Sequence, residues 1–183
     1  PGAHLGLELR GATVGVIGLG RIGGRYAELV RSLGADVVYS ARSPKPEAER
    51  ALEARRLGLD ELLRAAAAVS LHAPASDETR HMIGAAELEL IGPGGVLVNT
   101  ARGTLVDSAA LAAALRDGTL GAAGLDVYEG EPEVPAELLE APRAVLLPHI
   151  GSATVRSREG MARLAAENAI AVLEGREADA RVV

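Results

Sequence analysis

Two hydrophobic patterns take turns along this chain: short, nearly uninterrupted apolar runs, and longer stretches in which apolar residues recur every three or four positions. The runs at 13–17, 37–39, 69–71, 95–99, 122–125 and 145–147 predict buried strands. Helical spacing fills the intervals. The first helix, over about 22–33, carries Ile22, Tyr26, Leu29, Val30 and Leu33 on its apolar face, with Gly34 placed as its C-cap. A charged helix is predicted over 47–56, a shorter one over 61–66 capped by Asp60, and another over 85–91. Asp107 is placed to cap a helix at 108–117 that Gly118 stops. The last helix, about 155–174, has Met161, Leu164, Ala165, Ala169, Val172 and Leu173 on its apolar side. Residues 57–59 read as one more short strand. Strands and helices alternate without hairpin turns, which predicts an α/β doubly wound parallel sheet with right-handed crossovers, a Rossmann fold in a single domain over 1–183.

The junction between the first strand and the first helix reads Gly18-Leu19-Gly20-Arg21-Ile22-Gly23. In this spacing Gly18 permits a tight turn, Gly20 lets the backbone approach a pyrophosphate, and Gly23 lets the helix close on its strand. The N–H groups at the start of that helix would face the phosphates. A chain with 22 glycines produces chance turns, so the strand, turn, helix, strand context is what gives this match weight. Ser40, His72, Arg102, Asp126 and His149 each follow the end of a predicted strand. In a doubly wound sheet they should gather along the edge where ligands bind.

Composition narrows the functions. A net charge of −6 without a basic stripe argues against nucleic acid as a partner, and with no Phe, no Trp and three Tyr there is no platform for stacking bases. No long uncharged apolar run suggests a membrane span, and residues 1–4 do not open a signal peptide, so a cytoplasmic setting is expected. The absence of cysteine removes thiolate chemistry, and no His and acid cluster has zinc spacing, so no metal is expected.

Six motifs occur in order: Gly-Leu-Gly-Arg-Ile-Gly at 18–23, Leu-His-Ala-Pro at 71–74, Asn-Thr-Ala-Arg-Gly at 99–103, Gly-Leu-Asp-Val at 124–127, Glu-Pro at 131–132 and Pro-His-Ile-Gly-Ser at 148–152. Through them the chain resembles the cofactor-binding domain of the D-isomer-specific 2-hydroxyacid dehydrogenases, most closely glyoxylate and hydroxypyruvate reductases. The latter likeness rests on Tyr-Ser-Ala-Arg-Ser-Pro-Lys-Pro at 39–46 and His-Ile-Gly-Ser-Ala-Thr at 149–154. The resemblance implies a catalytic set of Arg102, Glu131 and His149. Chemistry agrees with these roles: an arginine fork holds a substrate carboxylate, a histidine with pKa near 6.5 supplies a proton, and a carboxylate fixes its tautomer. Taken singly, each residue also admits a structural reading: carbonyl bonding at a strand end, a solvated loop charge, a buried histidine. The resemblance further implies cofactor contacts at Gly18, Gly20, Arg21, Ile22 and Gly23, and at His72, Ala73, Pro74 and Thr79. Thr100, Ala101, Asp126, Gly151 and Ser152 complete the implied set, Asp126 on the nicotinamide side. His81 is expected in a surface turn and His4 exposed.

The cofactor expected is NADP, with NAD possible. NAD-preferring domains carry Asp or Glu about twenty residues past the glycine turn. That place is held by Ser40, with Arg42, Ser43 and Lys45 following as donors to a 2′-phosphate. The family's substrate-binding domain is absent from this sequence, which reads as an excised or redesigned domain that binds cofactor with little turnover. The expected partners are a small 2-oxo acid and a second copy of the chain in a homodimer. A dinucleotide-sensing module of the corepressor type and a designed scaffold are the competing readings.

Overall fold

The computed structural model describes residues 6–178, so the expectations for His4 and for the tail beyond Ala178 lie outside the described residues. The chain divides between Pro148 and His149 into two compact units.

In the first unit the strands are β1 (Thr13–Ile17), β2 (Asp36–Ser40), β3 (Arg55–Arg56), β4 (Ala68–Leu71), β5 (Val96–Asn99), β6 (Ala122–Leu125) and β7 (Ala144–Leu146). They form one parallel sheet in the order β3-β2-β1-β4-β5-β6-β7. This is the doubly wound Rossmann sheet that the alternating pattern predicts. The helices are α1 (Arg21–Ser32), α2 (Pro46–Leu52), α3 (Leu59–Ala65), α4 (Ala85–Ile91), α5 (Ser108–Asp117) and α6 (Ala136–Leu139). Two apolar clusters result. Val14, Val16, Val37 and Tyr39 pack with Ala27, Val30 and Leu52 of α1 and α2. Leu71, Leu97 and Leu125 pack with Leu62, Leu88, Leu111 and Leu138 of α3 to α6. Alternate residues of a strand point to opposite faces, so β1 supplies Val14 and Val16 to one cluster and Ile17 to the other.

Several elements depart from the sequence expectation. The inward stripe of α1 is Gly23, Ala27 and Val30, while Ile22 is 76% exposed and Leu29 and Leu33 are also exposed. Val30 is buried as expected and Tyr26 packs partly buried on the same cluster, but Gly23 and Ala27 take the inward positions in place of Ile22, Leu29 and Leu33. The small side chains win because α1 must lie close to the glycine turn. The charged helix stops at Leu52, with Glu53 in the left-handed region at φ 52°. The edge strand is therefore Arg55–Arg56 and not 57–59. Gly58 occupies the N-cap of α3, placing Asp60 in its first turn. The Asp107 cap is as expected: its carboxylate accepts the N–H groups of Ala109 and Ala110 at 3.0 Å.

The second unit contains α7 (Val155–Leu173), started by Thr154, whose Oγ1 accepts the Ser157 N–H at 3.1 Å. The apolar side expected for this helix is not buried. Met161, Leu164, Val172 and Leu173 are exposed, and Ala171 is its buried residue. No helix among the described residues is long and apolar enough to cross a membrane.

Candidate nucleotide-binding site

The glycine turn follows β1 at the point where strand order reverses, with β2 on one side and β4 on the other. The crevice beyond the strand ends at such a switch point is where doubly wound sheets bind ligands. A cleft of about 730 Å³ lies there. Its floor is 17–20, one wall is the loop after β2 with Ser40, Arg42, Ser43 and Lys45, and the other is the loop after β4.

Each glycine of the turn does something different. Gly18 sits at φ +95°, and a Cβ there would stand 2.6 Å from the backbone of His72 and Ala73. A Cβ at Gly23 would run into the Gly18 carbonyl oxygen, so the helix closes directly on the turn. At Gly20 nothing lies within 4 Å of a Cβ position, leaving bare backbone beside open space. Gly20 is also the N-cap of α1, which has no side-chain cap and no acidic residue in its first turn. The leading N–H groups and the positive end of the helix are thus presented without a competing carboxylate. Such a cradle fits a pyrophosphate. Arg21 and Ile22 stand exposed beside it.

The loop after β2 is held from both ends. The Lys45 N–H donates to Tyr39 Oη at 2.8 Å, and the Tyr39 hydroxyl donates to the Glu49 carboxylate. Burial, followed by the bond to Glu49, pushes the Tyr39 phenol above its ordinary value. From β3 the Arg56 guanidinium donates to the carbonyls of Ala41 at 2.8 Å and Arg42 at 3.1 Å. Across the cleft, Thr79 Oγ1 donates to the Pro74 carbonyl at 2.8 Å and accepts the Ser76 N–H at 2.8 Å, which shapes the wall formed by Ala73, Pro74 and Ser76. Asp77, Glu78 and Met82 also line this wall; sequence reasoning missed them because no periodicity marks a loop held by one threonine.

His72 faces the cleft half-buried, 2.9 Å from Ser70 Oγ through Nε2 and with its ring centroid 5.0 Å from that of Tyr26. Burial lowers its pKa below the ordinary 6.5, so the neutral ring is favoured in the folded chain. Below pH 6.5 the unfolded chain then binds more protons, and stability rises with pH in that range. The contribution is complete above about pH 6.5 and is lost as pH falls from there through the lowered value. Urea unfolding at pH 7.5 and 5.5 should therefore show a larger loss of stability for the wild type than for His72→Gln; equal losses would contradict this role.

Beyond β5 and β6 the predicted residues occupy adjoining turns. Buried Asn99 accepts the Ala101 N–H at 3.0 Å and donates to the Arg102 carbonyl at 2.9 Å. This turn leaves Thr100 and Arg102 exposed, with Arg102 Nη1 donating to the Ala101 carbonyl at 2.6 Å. Gly103, next in the chain, packs directly on the backbone of Tyr128 and Glu129. Asp126 is buried at the end of β6, its N–H donating to the Asn99 carbonyl at 3.0 Å. Glu131 Oε1 accepts the Tyr128 N–H at 2.9 Å and precedes a cis bond to Pro132.

His81 ends a turn over 77–81, as expected, but it is also tied to a distant residue. It is half-buried at φ 49°, with Nε2 2.7 Å from Glu129, which also pairs with Arg80. The bonds to His81 and then Arg80 hold the Glu129 carboxyl below its ordinary range. In the second unit His149 adopts φ 54° and is exposed, as are Gly151 and Ser152. Among the described residues no group of three or more His, Cys, Asp or Glu is arranged to hold a metal ion.

The sheet order, the switch-point cleft and the glycine cradle define a dinucleotide-binding domain of the Rossmann class. Residues 1–151 match the family model described as D-isomer specific 2-hydroxyacid dehydrogenase, NAD binding domain, and the chain belongs to that family. It is 46% identical over 175 residues to a glyoxylate reductase of Thermococcus litoralis, covering 96% of this chain and 53% of that protein. A solved structure of a Thermus thermophilus protein superposes with a TM-score of 0.91 at 48% identity, over 100% of this chain and 57% of the other. An NADPH-dependent glyoxylate/hydroxypyruvate reductase of Sinorhizobium meliloti, solved with NADP and malonate, gives 0.90 at 39% identity over 97% and 55%. The chain thus spans about half the length of the relatives it matches.

Proposed function

We propose that this chain is the cofactor-binding, catalytic-residue-bearing part of a reductase that converts small 2-oxo acids such as glyoxylate or hydroxypyruvate to D-2-hydroxy acids, with NADPH as preferred cofactor. The observation that carries the reading is the switch-point cleft, in which a bare Gly20 backbone adjoins a wall bearing Ser40, Arg42, Ser43 and Lys45. The reductase names of its relatives support the reaction class. Reduced nicotinamide, when bound, supplies the hydride. Arg102 then holds the substrate carboxylate and polarises the carbonyl through a planar donor fork. His149 delivers the proton to the carbonyl oxygen, and Glu131 is the carboxylate that orients the proton donor. Thr100, Ala101, Asp126, Gly151 and Ser152 belong to the same reading as contacts near the nicotinamide. A cytoplasmic, reducing setting accords with a sequence that contains no cysteine.

Titration with NADPH and NADH, followed by nicotinamide fluorescence, tests the cofactor assignment. NADPH should bind more tightly, and Arg42→Ala should weaken it roughly ten- to a hundredfold, the effect of losing a charge-assisted contact of about 1.5–3 kcal/mol. Equal or tighter NADH binding, or an unaffected Arg42→Ala, would refute the preference.

The same proposal includes a homodimer, because exposed Leu29 on α1, Leu33 at its C-cap and Val145 on β7 leave apolar surface to cover. Sedimentation at high micromolar concentration should detect dimer; monomer alone would count against it.

A further inference from the structure

We infer that Arg56, outside the glycine motif and the loop after β2, is a positioning residue that sets discrimination for the 2′-phosphate. The inference rests on the NADPH reading and deepens it.

The loop supplies the recognising groups but not its own shape. Its two prolines, Pro44 and Pro46, stiffen only the later half. The stretch 40–43 is shaped from outside, by the parallel register that places Arg56 beside Tyr39. Arg56 donates to Ala41 O through Nε at 3.3 Å and Nη2 at 2.8 Å, and Nη2 reaches Arg42 O at 3.1 Å. One guanidinium therefore gathers two successive carbonyls. In a trans peptide the carbonyl and the following N–H point in opposite directions. Drawing both carbonyls to Arg56 turns the N–H groups of Arg42 and Ser43 away from it. Two successive N–H groups set in this way resemble an anion-binding concavity, here beside the Arg42 and Ser43 side chains on the cleft wall. Tyr39 completes the arrangement by accepting the Lys45 N–H, so both ends of the stretch are tied without help from a ligand. A loop already set for its ligand avoids the ordering cost at binding.

A fork that grips two carbonyls and a point charge that merely raises the local potential make different predictions. Lysine keeps the charge but cannot reproduce the planar fork. The test uses the full chain, with Arg56→Met and Arg56→Lys, and titrates adenosine 2′,5′-bisphosphate against adenosine 5′-monophosphate by calorimetry. These probes differ only in the 2′-phosphate. Both variants should bind the bisphosphate about tenfold more weakly than the wild type, while affinity for the monophosphate stays within about twofold. Should Arg56→Met fail to fold, Arg56→Lys decides alone. Wild-type discrimination in Arg56→Lys would overturn the inference by showing that charge suffices, and equal losses for both probes would overturn it by showing a general structural role. A wild type that does not favour the bisphosphate would instead refute the NADPH reading and this inference with it.

Discussion

Gly103→Ala should destabilise the first unit by at least ~3 kcal/mol, the upper part of the range for inserting atoms into packed space. A Cβ at this position would overlap the backbone of Tyr128 and Glu129, and backbone offers no rotamer by which to yield. Against a total stability of about 5–15 kcal/mol such a loss is large. The urea midpoint should fall with little change in slope. Relief of the clash would also part the turn bearing Arg102 from the turn bearing Glu131, so cofactor-dependent activity should fall even where the chain stays folded. Gly24→Ala is the control. It lies inside α1 with nothing within 4 Å of its Cβ position and should stabilise by roughly 0.5–1 kcal/mol. An unchanged midpoint in Gly103→Ala would show that the packing of these two turns is not as described.

The second large effect is expected at His149. With NADPH saturating, His149→Ala should lower reduction of glyoxylate by ~10²–10⁴-fold, the range for removing a general acid. NADPH affinity should change little, which separates loss of proton delivery from loss of binding. Residues 1–183 assayed by themselves should turn over far below the median enzyme rate of about 10 s⁻¹. They match only 53% of the length of a reductase relative. Holding a substrate in reactive geometry accounts for roughly 7–11 kcal/mol of barrier lowering, and water must also be excluded. In the proposed reading Arg102 is one clamp toward that geometry, and further contacts are expected from sequence outside this match. Ordinary turnover by residues 1–183 would refute the reading of them as part of a larger site, and an undiminished rate in His149→Ala would refute the proton-donor assignment.

Legibility in the sequence followed the strength of the local physical signal. Val14, Val16, Leu71 and Leu97 advertise buried strands by apolar continuity, and Asp107 marks its helix start by a side chain suited to capping. The glycine turn was readable because its spacing falls between an apolar run and a helix-period stretch. The inward face of α1 was readable only at Val30 and Tyr26, since Gly23 and Ala27 are chosen for closeness to the turn and carry no hydrophobic signal, while Ile22, Leu29 and Leu33 carry that signal and are exposed. The edge strand of Arg55 and Arg56 has neither apolar alternation nor length. Ser40, Arg42, Ser43 and Lys45 are expected at the site from their chemistry, and all four line the cleft. Asp77, Glu78 and Met82 join the opposite wall only through the fold of their loop. The pairing of His81 with Glu129 joins residues 48 positions apart and leaves no local trace.

The two-residue edge strand also settles which of two chemically identical side chains does a given task. Arg55 and Arg56 differ in nothing but the face of the sheet each presents, since neighbouring strand residues alternate. Burial of Ala54 on one side and the Leu57 N–H to the Tyr39 carbonyl at 2.9 Å on the other hold the pairing in place. A slip of one position would exchange the two guanidinium groups, leaving composition, charge and local propensity untouched while moving the fork from one face of the sheet to the other. What distinguishes these arginines is therefore carried by an alanine and a backbone hydrogen bond, neither of which touches the nucleotide cleft.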